Sequence, residues 1–235
     1  MRSTSRPAFA DADVASVAAL VAEPARAAML DALMDGSSQP AGELALRAGI
    51  APSTASGHLA RLLSGGLVDC DVIGRQRRYR LASAEIAEAL EALARLARPV
   101  EVRSLRAANR DEAIRRARTC YDHLAGRLGV GLTEALVERR ALRPLDTSYE
   151  LTSVGEETMA ALGVDVAAAR AHRRSFARAC LDWSERRPHL AGALGAALAD
   201  VFLERRWVER RPRDRGLLVT AAGASELRRL GVGLG

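Results

Sequence analysis

The sequence predicts a mostly α-helical protein: a small helical domain closed by a β-hairpin in the N-terminal third, then one unit used twice. Three observations carry this. Apolar residues recur at helical spacing through 14–34, 41–63 and 84–97. Two short alternating runs flank Gly74-Arg75-Gln76. The stretch from His123 to Gly129, HLAGRLG, returns as HLAGALG from His189 to Gly195, at an offset of 66.

Taken in order, residues 14–34 predict two short helices, with Pro24 in the first turn of the second and Gly36 past its end. Pro40 opens a helix of about two turns, AGELALRAG, closed by Gly49. After Ile50-Ala51 a further helix runs PSTASGHLARLL, and the tight Gly-containing turn between the pair is that of a helix-turn-helix. Ala55, Leu59, Leu62 and Leu63 form its buried stripe, leaving Ser53, Thr54, Ser56, Gly57, His58 and Arg61 outward, small and polar enough to approach base edges. LVDCDVI and RRYRL then form a hairpin with a basic tip, with Tyr79 and Leu81 packed inward. Arg75, Gln76, Arg77 and Arg78 at and beyond the tip suit phosphates or a minor groove. A closing helix from Ala84 to Ala97 carries Ile86, Leu90, Leu93 and Leu96 on one face, a candidate dimer seam.

Charge alone does not locate a nucleic-acid site. The net charge is +6, yet residues 1–98 hold eleven Arg against eleven acids, so the excess lies beyond them. Local patterning is sharper: from 53 to 82 the acids are Asp69 and Asp71, against Arg61, Arg75, Arg77, Arg78 and Arg80. No apolar run suits a membrane span, and the start has Asp11 and Asp13 instead of a leader's apolar core, which predicts a cytoplasmic protein without membrane contact. Cys70, Cys120 and Cys180 are too dispersed for a disulfide framework.

The segments EPARAAMLDALM, ELALRAGIAPSTASGHLARLLSGGLVDC and IGRQRRYRLA, in that order and spacing, resemble the ArsR family of winged-helix repressors across about residues 14–98. The resemblance implies a homodimer on a partly palindromic double-stranded operator, with repression relieved by a small effector. Metal-sensing members carry cysteines before the recognition helix, or Asp and His ligands in the closing helix. Here 41–63 has no Cys and 84–98 has no His, Cys or Asp, so metal sensing at those positions is not expected.

Beyond Pro99 the resemblance ends. Leu151-Thr152-x-x-Gly155 and Val219-Thr220-x-x-Gly223 continue the repeat, each Thr capping a helix after a strand. We read two degenerate winged-helix-like units, 99–165 and 166–235, behind a DNA-binding domain at 12–98. The loop ERRPRDRG, with Arg210, Arg211, Arg213 and Arg215, is either a second DNA contact or a solvated loop. Each repeat is entered through a cysteine, and Cys120 and His123 share a face if that segment is helical. Arg118 and Arg178, two residues before the cysteines, would then face away. Cys120, His123, Cys180 and His189 either converge on a soft metal ion or thiol-reactive effector, or fill core and bridge the repeats. No third orienting group or phosphate loop accompanies them, so no catalytic residue is assigned. The alternative to an effector-controlled repressor is a winged-helix protein used for protein contacts or architecture.

Overall fold

The computed structural model describes residues 12–98, 104–212 and 214–233. The extreme start of the chain, Pro99 and Arg213 lie outside these residues.

A first helix α1 (Val14–Val21) precedes α2 (Pro24–Leu33), where Pro24 occupies a position whose N–H has no helical partner. The Glu23 carboxylate caps α2 by accepting the Arg26 amide at 2.9 Å. β1 (Gln39–Pro40) leads into α3 (Ala41–Ala48), which Gly49 ends in the left-handed conformation, and α4 (Pro52–Ser64) follows. Ala55, Leu59 and Leu62 of α4 share one apolar core with Met29, Leu30 and Leu33 of α2 and Leu44 of α3. Leu63, expected in that stripe, is instead 36% exposed, because it lies past the edge of the face that its three neighbours bury.

β2 (Val68–Ile73) and β3 (Gln76–Leu81) pair from Val68–Leu81 to Ile73–Gln76, leaving Gly74-Arg75 as the tip. Gln39 of β1 pairs with Tyr79, so the hairpin forms a three-stranded sheet with β1. α5 (Ala84–Leu96) closes the domain and buries Ala87 and Glu91. Its predicted apolar face divides: Ile86 and Leu90 pack against the core, whereas Leu93 and Leu96 are 50% and 83% exposed. This is a winged helix-turn-helix. No helix among the described residues is long and apolar enough to cross a membrane.

After α6 (Leu105–Arg116), which buries no residue, come β4 (Arg118–Cys120), β5 (His123–Ala125), α7 (Gly126–Glu138), β6 (Leu142–Pro144), β7 (Tyr149–Leu151) and α8 (Ser153–Leu162). Beyond α9 (Val166–Ala171) the same order recurs: β8 (Arg178–Leu181), β9 (Pro188–Ala191), α10 (Gly192–Glu204), β10 (Val208–Arg210), β11 (Leu217–Val219) and α11 (Ala221–Arg229). Thr152 and Thr220 cap α8 and α11 by accepting the Gly155 and Gly223 amides.

Each unit runs hairpin, helix, hairpin, helix, opening on a short hairpin, β8–β9 in the second unit and β4–β5 in the first. That hairpin corrects the helical placement of Cys120 and His123, which face each other across β4 and β5. Gly126 and Gly192 turn each hairpin into its helix at φ of +72° and +81°, so they serve a left-handed corner and not helix–helix approach. The two units are intertwined. Leu217 donates to the Ala117 carbonyl at 2.8 Å and Tyr149 to Ala177 at 3.0 Å, while Thr119 donates to Arg215 and Ala179 to Thr147, each at 3.0 Å. Each unit's second hairpin thus extends the other's first, about an approximate twofold. One core holds both, from Leu124, Leu128 and Leu136 to Leu190, Leu194 and Phe202.

Candidate functional site

Two places carry chemistry, and the first is the outer surface of α4 and the wing. Ser53, Thr54, Ser56, Gly57 and Arg61 of α4 are exposed, as are Arg75, Gln76 and Arg77 of the wing. Ser56, Ala60 and Leu63 line one side of a groove whose other side is Gln76, Arg77 and Tyr79. Two expected members are otherwise engaged. His58 turns back toward α2, its Nδ1 3.4 Å from Glu23 and 3.5 Å from the Arg26 guanidinium, leaving the side chain 16% exposed. Arg78 is half-buried and donates to Ser38 through both its carbonyl and, at 3.1 Å, its hydroxyl. Arg80 pairs with Asp69 at 2.8 Å and Asp71 at 3.2 Å. The exposed cations of the wing are therefore Arg75 and Arg77, the latter also donating to Cys70 Sγ at 3.4 Å.

At the loop between β10 and β11, two of the arginines reach the winged helix. Arg210 donates to the Asp35 carbonyl at 2.9 Å, and Arg215 is buried, donating to Glu91 of α5 at 2.6 Å and lying 3.5 Å from Asp31 of α2. These arginines fasten the C-terminal part to the winged helix.

The second place is where the two first hairpins meet. Each presents a cross-strand pair, Cys120 with His123 and Cys180 with His189. One ligand atom from each of the four lies within 4.8 Å of every other, and all four residues are buried. The imidazoles meet through their Nε2 atoms at 3.1 Å. α7 and α10 admit this packing reciprocally: a Cβ on Gly129 would stand 3.6 Å from His189 Cβ, and one on Gly195 would stand 3.4 Å from His123 Cβ.

Two carboxylates stand behind the imidazoles. Asp122 Oδ1 is 3.3 Å from His123 Nδ1, and its other oxygen accepts from Arg174. Asp182 Oδ2 is 3.2 Å from His189 Nδ1, oblique for a hydrogen bond, and accepts the Gly126 amide at 2.8 Å. Its Oδ1 accepts from Arg118 at 2.8 Å, a fully buried ion pair. Arg118 faces the centre because residues two apart share a face on a strand, the opposite of the helical expectation. Burial works against ionisation of Asp182, but His189 and Arg118 outweigh it and hold the carboxyl well below the usual range. The Cys120 thiol, together with both imidazoles, stabilises a Cys180 thiolate, whereas the contact with Cys180, reinforced by burial, pushes the Cys120 thiol up. The sequence reading missed Asp122 and Asp182, although Cys-x-Asp stands in both repeats.

The centre is close to the DNA-binding domain. Cys120, Ala125, Cys180 and Ala191 join the core of the winged helix. The Tyr121 amide, in the turn between the first two ligand residues, donates to Met34 at the end of α2 at 2.7 Å. A cavity of about 390 Å³ opens onto Cys120, His123 and Cys180 between Glu85 and Glu88 of α5 and Arg173, Arg174 and Arg178.

A recognition helix and wing flanking one groove define a winged-helix DNA-binding protein. Residues 21–71 match the helix-turn-helix domain family. The HTH-type transcriptional regulator YdfF of Bacillus subtilis is 44% identical over 211 residues, 90% of this chain and 93% of that protein. The chain therefore belongs to the HTH-type transcriptional regulators. Among solved structures, the cadmium metal-sensor CmtR from Mycobacterium tuberculosis is 37% identical, over 39% of this chain and 94% of that one, at a TM-score of 0.32. The homodimeric winged helix-turn-helix domain of Mb0332 from Mycobacterium bovis, a possible ArsR-family regulator, is 29% identical, over 38% and 88%, also at 0.32.

Proposed function

We propose that this regulator is a cytoplasmic, sequence-specific repressor that binds a double-stranded operator as a homodimer, under an effector sensed or transmitted through the C-terminal units. We read those units as a duplication with winged-helix-like halves. The observation that supports DNA readout most directly is the groove between α4 and the wing, with Ser56 on one side and Gln76 and Arg77 on the other. Small polar side chains there reach base edges, and Arg75 at the tip is placed for phosphate. Leu93 and Leu96, exposed on α5, supply apolar surface for a second copy. The donor set of Cys120, His123, Cys180 and His189 makes the meeting of the first hairpins the entry point for the signal, and a soft metal ion the effector class.

Selection of bound fragments from random duplex DNA, followed by affinity measurement across salt concentrations, tests this reading. Enrichment of a partly palindromic site, with affinity falling steeply as salt rises, is expected. No enrichment, or binding indifferent to salt, supports a winged helix used for protein contacts instead.

A further inference from the structure

We infer that Cys120, His123, Cys180 and His189 form a closed tetrahedral site for one soft divalent d10 cation of the Zn(II) or Cd(II) class, and that its occupancy is the signal read by the winged helix. The second half of this statement rests on the proposed regulatory function; the first does not.

The ligand count and type are those of a closed Cys2His2 site. The nitrogen separation fits directly: two nitrogens bound at about 2.0–2.1 Å in a tetrahedron lie a little over 3 Å apart, the two Nε2 atoms stand at 3.1 Å, and all four ligand atoms lie within 4.8 Å of one another. The tautomers point the same way. Asp122 and Asp182 stand beside the two Nδ1 atoms, and a proton held there on each ring would turn an Nε2 lone pair inward. Two lone pairs facing each other in a buried site repel unless a proton or a cation lies between them. A carboxylate–histidine–metal arrangement on both sides removes that conflict.

Charge balance favours the metal as well. A divalent ion with two thiolates and two neutral imidazoles has no net charge, so burying it leaves no unpaired ion. Binding releases the thiol protons still present to solvent. The outer carboxylates are balanced separately, Asp182 by Arg118 and Asp122 by Arg174. The cavity beneath α5 reaches three of the four ligands and supplies an entry path.

The route to DNA starts at the ligands. Drawing Cys120 and Cys180 onto one ion moves β4 against β8, and both cysteines pack in the winged-helix core. Tyr121, next to Cys120, is tied to the end of α2, and α2 packs behind α4.

The test uses the full chain, reduced and freed of metal, titrated with Co(II), then Zn(II) or Cd(II), in parallel with affinity for a selected duplex. One equivalent of Co(II) is expected to give intense tetrahedral d–d absorption with sulfur-to-metal charge transfer, displaced by Zn(II) or Cd(II). Cys180→Ser and His189→Ala should lose it. Asp122→Asn, which removes no ligand, should keep the spectrum and bind about 10–100-fold more weakly. Metal loading should change duplex affinity at least tenfold in the wild type and not in Cys180→Ser. Absence of one-to-one tetrahedral binding by the wild type overturns the site whatever the DNA result. Tight binding with unchanged duplex affinity overturns the signalling half alone. Normal metal binding by a chain that selects no duplex overturns the proposed repressor function and leaves the site standing.

Discussion

Among single residues, exposure and partnership separate base readers from braces. Arg75 is exposed at the wing tip, so Arg75→Ala should weaken binding to all duplexes alike and lower the slope of log affinity against log salt by about one. An unchanged slope takes the tip out of the interface. Ser56→Ala should instead alter preference among sequences, with about 1–3 kcal/mol at stake for a good base contact. His58 differs from both because Glu23 and Arg26 engage it. For His58→Ala we expect a stability loss of up to about 1 kcal/mol by denaturant unfolding, with the ratio of specific to random affinity unchanged. A shifted ratio returns His58 to the base edges.

Within the elements, two glycines of opposite character make a paired test. A Cβ on Gly57 in α4 meets nothing within 4 Å, so Gly57→Ala should raise stability by about 0.5–1 kcal/mol, the usual helical gain. It should also weaken operator binding if, as proposed, the exposed face of α4 meets DNA, since the added methyl stands on that face. Gly192 has φ of +81°, and its Cβ would lie 2.6 Å from the Ser175 carbonyl oxygen. Gly192→Ala should therefore cost more than about 1 kcal/mol by chemical denaturation, with destabilisation and not lost DNA contact as the primary effect. Equal stabilities for the two variants contradict the corner between β9 and α10.

Over the whole molecule, the decisive contacts join the winged helix to the C-terminal units. Glu91 and Arg215 form a buried ion pair at 2.6 Å between α5 and the loop before β11. Removing one partner strands the other without solvent, so Arg215→Ala should destabilise the chain by about 3–5 kcal/mol. Because this pair and Arg210 bridge the two parts, calorimetry should show one transition in the wild type and two in Arg215→Ala. A single unshifted transition in the variant removes the pair from the coupling.

The N-terminal domain was legible in the sequence because its signals are local. Pro24, Gly49, Pro52 and Gly74 punctuate elements whose apolar spacing follows from helix and strand geometry alone. The repeat was visible too, and with it His123 and His189, since identity at a fixed offset needs no structure; Cys120 and Cys180 stand 60 apart, off that register, and were picked out only as the cysteine ahead of each histidine. Legibility failed where partners are distant in the chain. His58 looks outward on a helical wheel, and only the packing of α2 shows it engaged. Arg210 and Arg215 read as a basic loop until Asp35 and Glu91 are beside them. The short β4–β5 hairpin has too few residues to show an alternating period, so Cys120 and His123 mimic a helical pair. That the two hairpins meet face to face, with Asp122 and Asp182 behind the imidazoles, was decided by tertiary structure alone: the hydrogen bonds that intertwine the units join residues far apart in sequence, and no local periodicity encodes them.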